Sequence, residues 1–247
     1  MASRFAVPPK CFMPDSTRLR AVVFDLDGLL FNTEDLYQDV GSELLRRRGK
    51  RFDAELLNAM MGRPPRVSLQ IMIDWHQLDA TVEQLAAETE EVFGSILDQR
   101  LELMPGAERL LGALETAGIP KAIATSSGPR FVKNVLSRFD LEPRFQFILT
   151  CDDVQEGKPH PEIYLRAAQR FNLPVEQMLV LEDSQNGCRA AVASGAYAVA
   201  VPGGHSRQHD FSGAAFLADR HAAVTNTISC AAVSPWPKPE SRKRSTW

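Results

Sequence analysis

Apolar positions along the chain fall into two kinds of run. Short unbroken stretches such as AVVFD at Ala21–Asp25 carry β-branched and aromatic side chains and read as buried strands. Longer stretches carry apolar residues three and four apart and read as amphipathic helices. After the first strand the pattern turns helical near Glu34. LYQDVGSELLRRRGK, AELLNAMMG, VSLQIMIDWHQL and VEQLAAETEEVFGSILDQRLEL follow one another, and no strand pattern interrupts them before Met104. Pro105-Gly106 marks a boundary, and AERLLGALETAG reads as a helix closed by Gly118. The chain then alternates, with strands predicted over 121–126, 147–152, 178–183 and 197–202. Between them lie predicted helices over 130–139, 161–171 and 186–193.

Such alternation predicts an α/β fold: a Rossmann-like, doubly wound parallel sheet covered by helices on both faces. The expected layout is a core of residues 19–34 and 104–228, interrupted by a helical insertion over 35–103. Residues 1–18 read as a loose extension, and the Pro-rich, basic tail 229–247 reads as disordered.

Composition narrows the function classes. Hydrophobic residues make up 44% of the 247, enough for a packed core. The net charge of −3, with both signs dispersed, offers no field for nucleic acid or an anionic membrane. No stretch reaches the roughly 20 apolar residues a membrane helix needs. The first 18 residues lack the apolar stretch of a secretory signal. Cys11, Cys151, Cys188 and Cys230 are widely spaced without a C-x-x-C, so reduced thiols in a cytoplasmic protein are expected. A monomer is compatible with this pattern.

Asp25 and Asp27 stand two residues apart at the end of the first strand, followed by Gly28. Side chains at i and i+2 of an extended backbone share a side, so the two carboxylates project together. Their repulsion needs an offset: a divalent cation, a lysine or a shared proton. Alone, the pair suits a helix-capping turn as well as a Mg²⁺ site. Three further polar clusters follow later strands: Thr125-Ser126-Ser127-Gly128, Gly157-Lys158-Pro159 and Glu182-Asp183-Ser184. Each alone has a structural explanation as a turn, a surface lysine or a helix cap. Together they fall at strand carboxyl ends, where open parallel sheets bind ligands. The set suits phosphoryl transfer: Asp25 as nucleophile, Asp27 as proton shuttle, and Mg²⁺ held by Asp25, the Asp27 carbonyl and Asp183. Thr125 and the Ser126 N–H would bind phosphate oxygens, and Lys158 would add positive charge.

These motifs resemble the haloacid dehalogenase superfamily: FDLDG at Phe24–Gly28, ATSSG at Ala124–Gly128, GKPHPE at Gly157–Glu162 and LEDSxNG at Leu181–Gly187. The helical insertion resembles that superfamily's cap domain. The chain is most similar to the phosphatase and phosphomutase branch, and within it to the pseudouridine-5′-phosphatase type. The resemblance implies the same roles for Asp25, Asp27, Thr125, Ser126, Lys158 and Asp183, with Glu182 as a supporting or ligand carboxylate and Mg²⁺ as cofactor. It implies a small phosphorylated metabolite as partner: a nucleoside monophosphate, glycerol phosphate or sugar phosphate. Selectivity would lie in cap side chains, with Arg63 and, less strongly, Arg66 as candidate contacts.

Asp27 favours phosphate esters over dehalogenation, because dehalogenases of the superfamily usually lack it. Tyr37 stands where β-phosphoglucomutases commonly carry a histidine, which favours a phosphatase over a mutase. A catalytically quiet binding protein is disfavoured, since every matched catalytic position is filled. The pattern D-x-D-G-x-x-x-D ends here in Asn32, which keeps hydrogen-bonding capacity and loses a charge, so the turn is expected to survive.

Overall fold

The structure is a computed structural model that describes residues 19–60 and 65–218. The expectations for residues 1–18, for Arg63 and for the tail beyond 218 lie outside the described residues. The chain forms two compact units, one up to Leu30 and from Pro105 onward, the other Phe31–Met104.

The first unit is a six-stranded sheet with every pairing parallel. Its strands are β1 (Ala21–Phe24), β2 (Lys121–Ala124), β3 (Ile148–Leu149), β4 (Met178–Glu182), β5 (Tyr197–Ala200) and β6 (Phe216–Leu217), in the order β3-β2-β1-β4-β5-β6. Parallel strands are buried on both faces and read as continuous apolar runs. All four residues of β1 and all five of β4 are buried accordingly. Helices α5 (Ala107–Thr116), α6 (Pro129–Ser137), α7 (Glu162–Phe171) and α8 (Gln185–Ser194) connect the strands. Ile163, Tyr164 and Ala167 of α7 and Ala190 and Ala191 of α8 pack on Val23, Val180 and Ala198 of the sheet.

β3 is shorter than its sequence pattern. Asp153 Oδ2 accepts from both the backbone N–H and the hydroxyl of Thr150 (2.8 and 3.0 Å). This side-chain cap turns residues 151–153 into a 3₁₀ turn where the apolar pattern predicted strand. β6 carries only two residues and has no alternation by which sequence could reveal it.

The start of β2 is held from outside. Lys121 is buried, and its ammonium donates to Glu115 Oε1 at 2.7 Å. Arg144 donates to both Glu115 oxygens (2.7 and 3.0 Å) and to Glu108. Arg144, and after it Lys121, hold the Glu115 carboxyl down to about 2 from its usual 4.5.

The second unit contains α1 (Thr33–Arg46), α2 (Ala54–Met60), α3 (Pro65–His76) and α4 (Val82–Arg100) around Leu45, Leu56, Met72 and Leu85. A capping box starts α4: Thr81 Oγ1 accepts from Gln84 N, and Gln84 Oε1 accepts from Thr81 N. The helix stops at Arg100, three residues before its apolar pattern ends, because Leu101 is extended and Leu103 pairs antiparallel with Phe31. Asn32 locks this pairing. Its Nδ2 donates to Arg100 O (3.1 Å), its Oδ1 accepts from Glu102 N (2.9 Å), and its own N–H donates to Glu102 O (3.2 Å). Among the described residues, no helix is long and apolar enough to cross a membrane.

Two stability measurements check these assignments. Asn32→Ala removes two hydrogen bonds worth about 1 kcal/mol each, so urea unfolding should show a loss of about 1–2 kcal/mol. Asn32→Asp keeps only the acceptor and should fall between wild type and Asn32→Ala. The Glu115 carboxyl is depressed in the folded state, so its contribution is full above the unfolded value near 4.5 and disappears as pH falls towards about 2. Glu115→Gln should therefore flatten the stability profile across that acid window and leave its shape at neutral pH unchanged.

Candidate active site

The strand order places the site. β1 lies at the centre; the chain moves outward through β2 and β3, then crosses to β4 on the other side. The crevice at such a switch point, beyond the carboxyl ends of the strands, is where open α/β sheets bind ligands. Ladder hydrogen bonds run one residue past the strands and fix the groups there. Asp25 N donates to Leu181 O (3.0 Å), Thr125 N to Leu149 O (3.0 Å) and Val201 N to Glu182 O (2.7 Å). Gly28, at φ +73°, makes the turn behind Asp27, a conformation that side chains with a Cβ rarely take.

Asp25, Glu182 and Asp183 are each less than a tenth exposed, and their carboxylates offer oxygens within 4.8 Å of one another. Lys158 reaches in from the loop before α7, and all three of its ammonium protons have acceptors. These are Asp25 Oδ1 (2.6 Å), Glu182 Oε1 (2.6 Å) and the carbonyl of Ala124 (2.9 Å). Burial works against the Lys158 charge, but the two carboxylates outweigh it and hold the amine protonated, above the ordinary lysine range. Burial pushes the Asp25 carboxyl up; Lys158 opposes the shift, and Glu182 and Asp27 add to it.

Glu182 is the most enclosed of the three. Its Oε1 also accepts from the phenol of Tyr164, and its Oε2 from Ser184 Oγ (3.1 Å). Its carboxylate lies against the Cα of Gly187, where a Cβ would collide with it. Ser184 Oγ also accepts from Gly187 N at 3.1 Å and so caps α8.

Asp27 is held separately. Its Oδ2 accepts from Ser127 Oγ (2.6 Å) and Thr125 Oγ1 (3.2 Å), while its Oδ1 is a buried oxygen with no hydrogen-bond partner. The Thr125 hydroxyl is fully buried and also accepts from Ser127 N (3.0 Å), so it braces Asp27 and the turn. Ser126 is exposed at the same turn. Arg66 is paired with Glu83 within the helical unit.

Sequence reasoning assigned no role to Ser127, Tyr164 or Gly187. Ser127 sits within the quoted ATSSG motif, but nothing in the pattern says which hydroxyl meets Asp27. Tyr164 falls in the apolar stripe of α7 and reads as core.

The donor set fits a hard divalent cation. Three buried carboxylates converge, one lysine is ion-paired to two of them, and the orphaned Oδ1 of Asp27 marks a polar site short of partners. Both oxygens of Glu182 already have partners in Lys158, Tyr164 and Ser184.

Residues 22–201 match the haloacid dehalogenase-like hydrolase family, and the chain belongs to it. A phosphorylated carbohydrates phosphatase from Thermotoga maritima is 33% identical over 177 residues, covering 72% of this chain and 82% of that protein. A Drosophila melanogaster relative named probable pseudouridine-5′-phosphatase is 36% identical over 186 residues, 73% and 80% of the two chains. The crystal structure of CbbY from Rhodobacter sphaeroides in complex with phosphate aligns with a TM-score of 0.70 at 28% identity, over 83% of this chain and 95% of that one. Both of these curated relatives are named as phosphatases.

Removing the lysine should cost more than removing the aspartate. In metal-free buffer, Lys158→Met strands two buried carboxylates and should lower unfolding stability by about 3–5 kcal/mol. Asp25→Asn leaves Lys158 paired with Glu182 and should cost far less. Equal losses in denaturant titrations would contradict the shared ion pair.

Proposed function

We propose that the protein is a Mg²⁺-dependent phosphomonoesterase acting on a small phosphorylated metabolite through an aspartyl-phosphate on Asp25. The convergence of Asp25, Glu182 and Asp183 beside Lys158 carries this reading. Asp25, Asp183 and the Asp27 carbonyl would hold the ion, with Glu182 supporting them. Bound there, Mg²⁺ would neutralise charge on the phosphate oxygens.

The chain's own residues supply the rest. An Asp25 oxygen attacks phosphorus as the ester bond breaks, and the departing alkoxide takes a proton from Asp27. The Asp27 carboxylate then takes a proton from water as that water attacks the phosphorus on Asp25. Phosphate is released and both aspartates are restored. Ser127 and Thr125 hold Asp27 by one oxygen, which leaves Oδ1 for the proton exchange. The exposed turn at Ser126 would offer its N–H to the transferring phosphate, whereas the buried Thr125 hydroxyl, its one proton given to Asp27, keeps a bracing role in place of the expected phosphate contact. Lys158 would keep Asp25 oriented as charge develops.

The substrate class rests on the relatives' names, and the test follows from them. Phosphate release should be screened over pseudouridine 5′-phosphate, other nucleoside monophosphates, glycerol phosphate and sugar phosphates, with Mg²⁺ and with EDTA. Release should require the metal, and Asp25→Asn should lower kcat by about 10⁴-fold or more while the fold survives. Unchanged hydrolysis of an aryl phosphate by that variant would sink the mechanism. An isomeric sugar phosphate formed without phosphate release would replace it with a phosphomutase.

A further inference from the structure

We propose that Tyr164 is a positioning residue: its phenol, by holding Glu182, sets how Lys158 is shared between Glu182 and the nucleophile Asp25. This rests on the phosphomonoesterase reading above. Tyr164 is fully buried in α7, so it cannot touch substrate. Its hydroxyl donates to Glu182 Oε1, the same oxygen that accepts from Lys158 Nζ. The ammonium also lies 5.3 Å from the centre of the Tyr164 ring. A hydrogen-bonded chain therefore runs from Tyr164 through Glu182 and Lys158 to Asp25.

A tyrosine in a core needs some partner for its hydroxyl, and a backbone carbonyl would serve. Here the partner is a buried carboxylate that already holds the strongest donor in the site. Two donors on one oxygen share its charge, so each contact is weaker than it would be alone. Without the phenol, Glu182 Oε1 would have only Lys158 to satisfy it. The ammonium would move towards Glu182, and its bond to Asp25 would lengthen. The phenol thus adjusts a charged contact without adding charge, and the cost of losing it falls on the orientation of Asp25 and not on substrate affinity.

Tyr164→Phe fills the same volume and removes one hydroxyl. With an aryl phosphate and Mg²⁺, kcat should fall about tenfold while KM stays within about twofold. On a Glu182→Gln background the same substitution should change kcat by less than about twofold, because the group it acts through is already altered. A crystal structure of Tyr164→Phe should show Lys158 Nζ beyond about 3.2 Å from Asp25 Oδ1, against 2.6 Å in the native site. An unchanged kcat, a loss confined to KM, additive effects in the double variant, an unmoved Lys158 or a variant that fails to fold would each overturn the proposal. If the wild type released no phosphate from any ester, the phosphatase reading would fall, and the Lys158 to Asp25 distance would alone decide the role of Tyr164.

Discussion

Lys158 lies between Asp25 and Glu182, and much of the surrounding structure follows from the cost of burying those three charges. An isolated buried carboxylate is expensive, and an ion pair offsets that cost only with good geometry and with the remaining hydrogen bonds satisfied. The site meets both conditions. Lys158 spends all three protons on Asp25, Glu182 and the Ala124 carbonyl, while Tyr164 and Ser184 complete Glu182. Gly187 is part of the same solution, since its missing side chain is the space that the Glu182 carboxylate fills.

The parallel sheet makes this convergence possible. Residues far apart in sequence come together because β1 pairs with both β2 and β4, which brings Asp25, Thr125 and Glu182 to neighbouring strand ends. The ladder continues past each strand end and leaves the backbone there little freedom. The two aspartates of the first motif consequently meet different surroundings. Asp25 faces a lysine and buried carboxylates, and Asp27 faces two hydroxyls. That difference in environment supports the division of labour proposed for them, nucleophile and proton shuttle, on the same residue type.

The helical unit has its own closure. Phe31 and Asn32, entering it, pair with Glu102 and Leu103, leaving it, and the Asn32 amide serves as both donor and acceptor. A carboxylate at this position would lack the donor that meets the Arg100 carbonyl. The departure from D-x-D-G-x-x-x-D is thus a residue fitted to its neighbours.

Periodicity alone identified the alternating strands and helices, because burial on two faces or on one stripe leaves a direct mark on residue order. The four polar clusters after the strands were legible in the same residue order, and so was the family, through its motifs, whereas the order of strands in the sheet came from the tertiary structure. Local competition escaped that reading. Asp153 ended β3 early by capturing the Thr150 N–H, and the pairing of Phe31 with Leu103 ended α4 before its apolar pattern did. The partners within the site escaped it too. Tyr164 is written in the sequence as one more apolar-face residue, and Ser127 as one of two adjacent serines. Only tertiary structure decided that one holds Glu182 and the other Asp27, because a hydrogen bond needs two groups within about 3 Å at a workable angle, and sequence spacing cannot encode that across separate strands and helices.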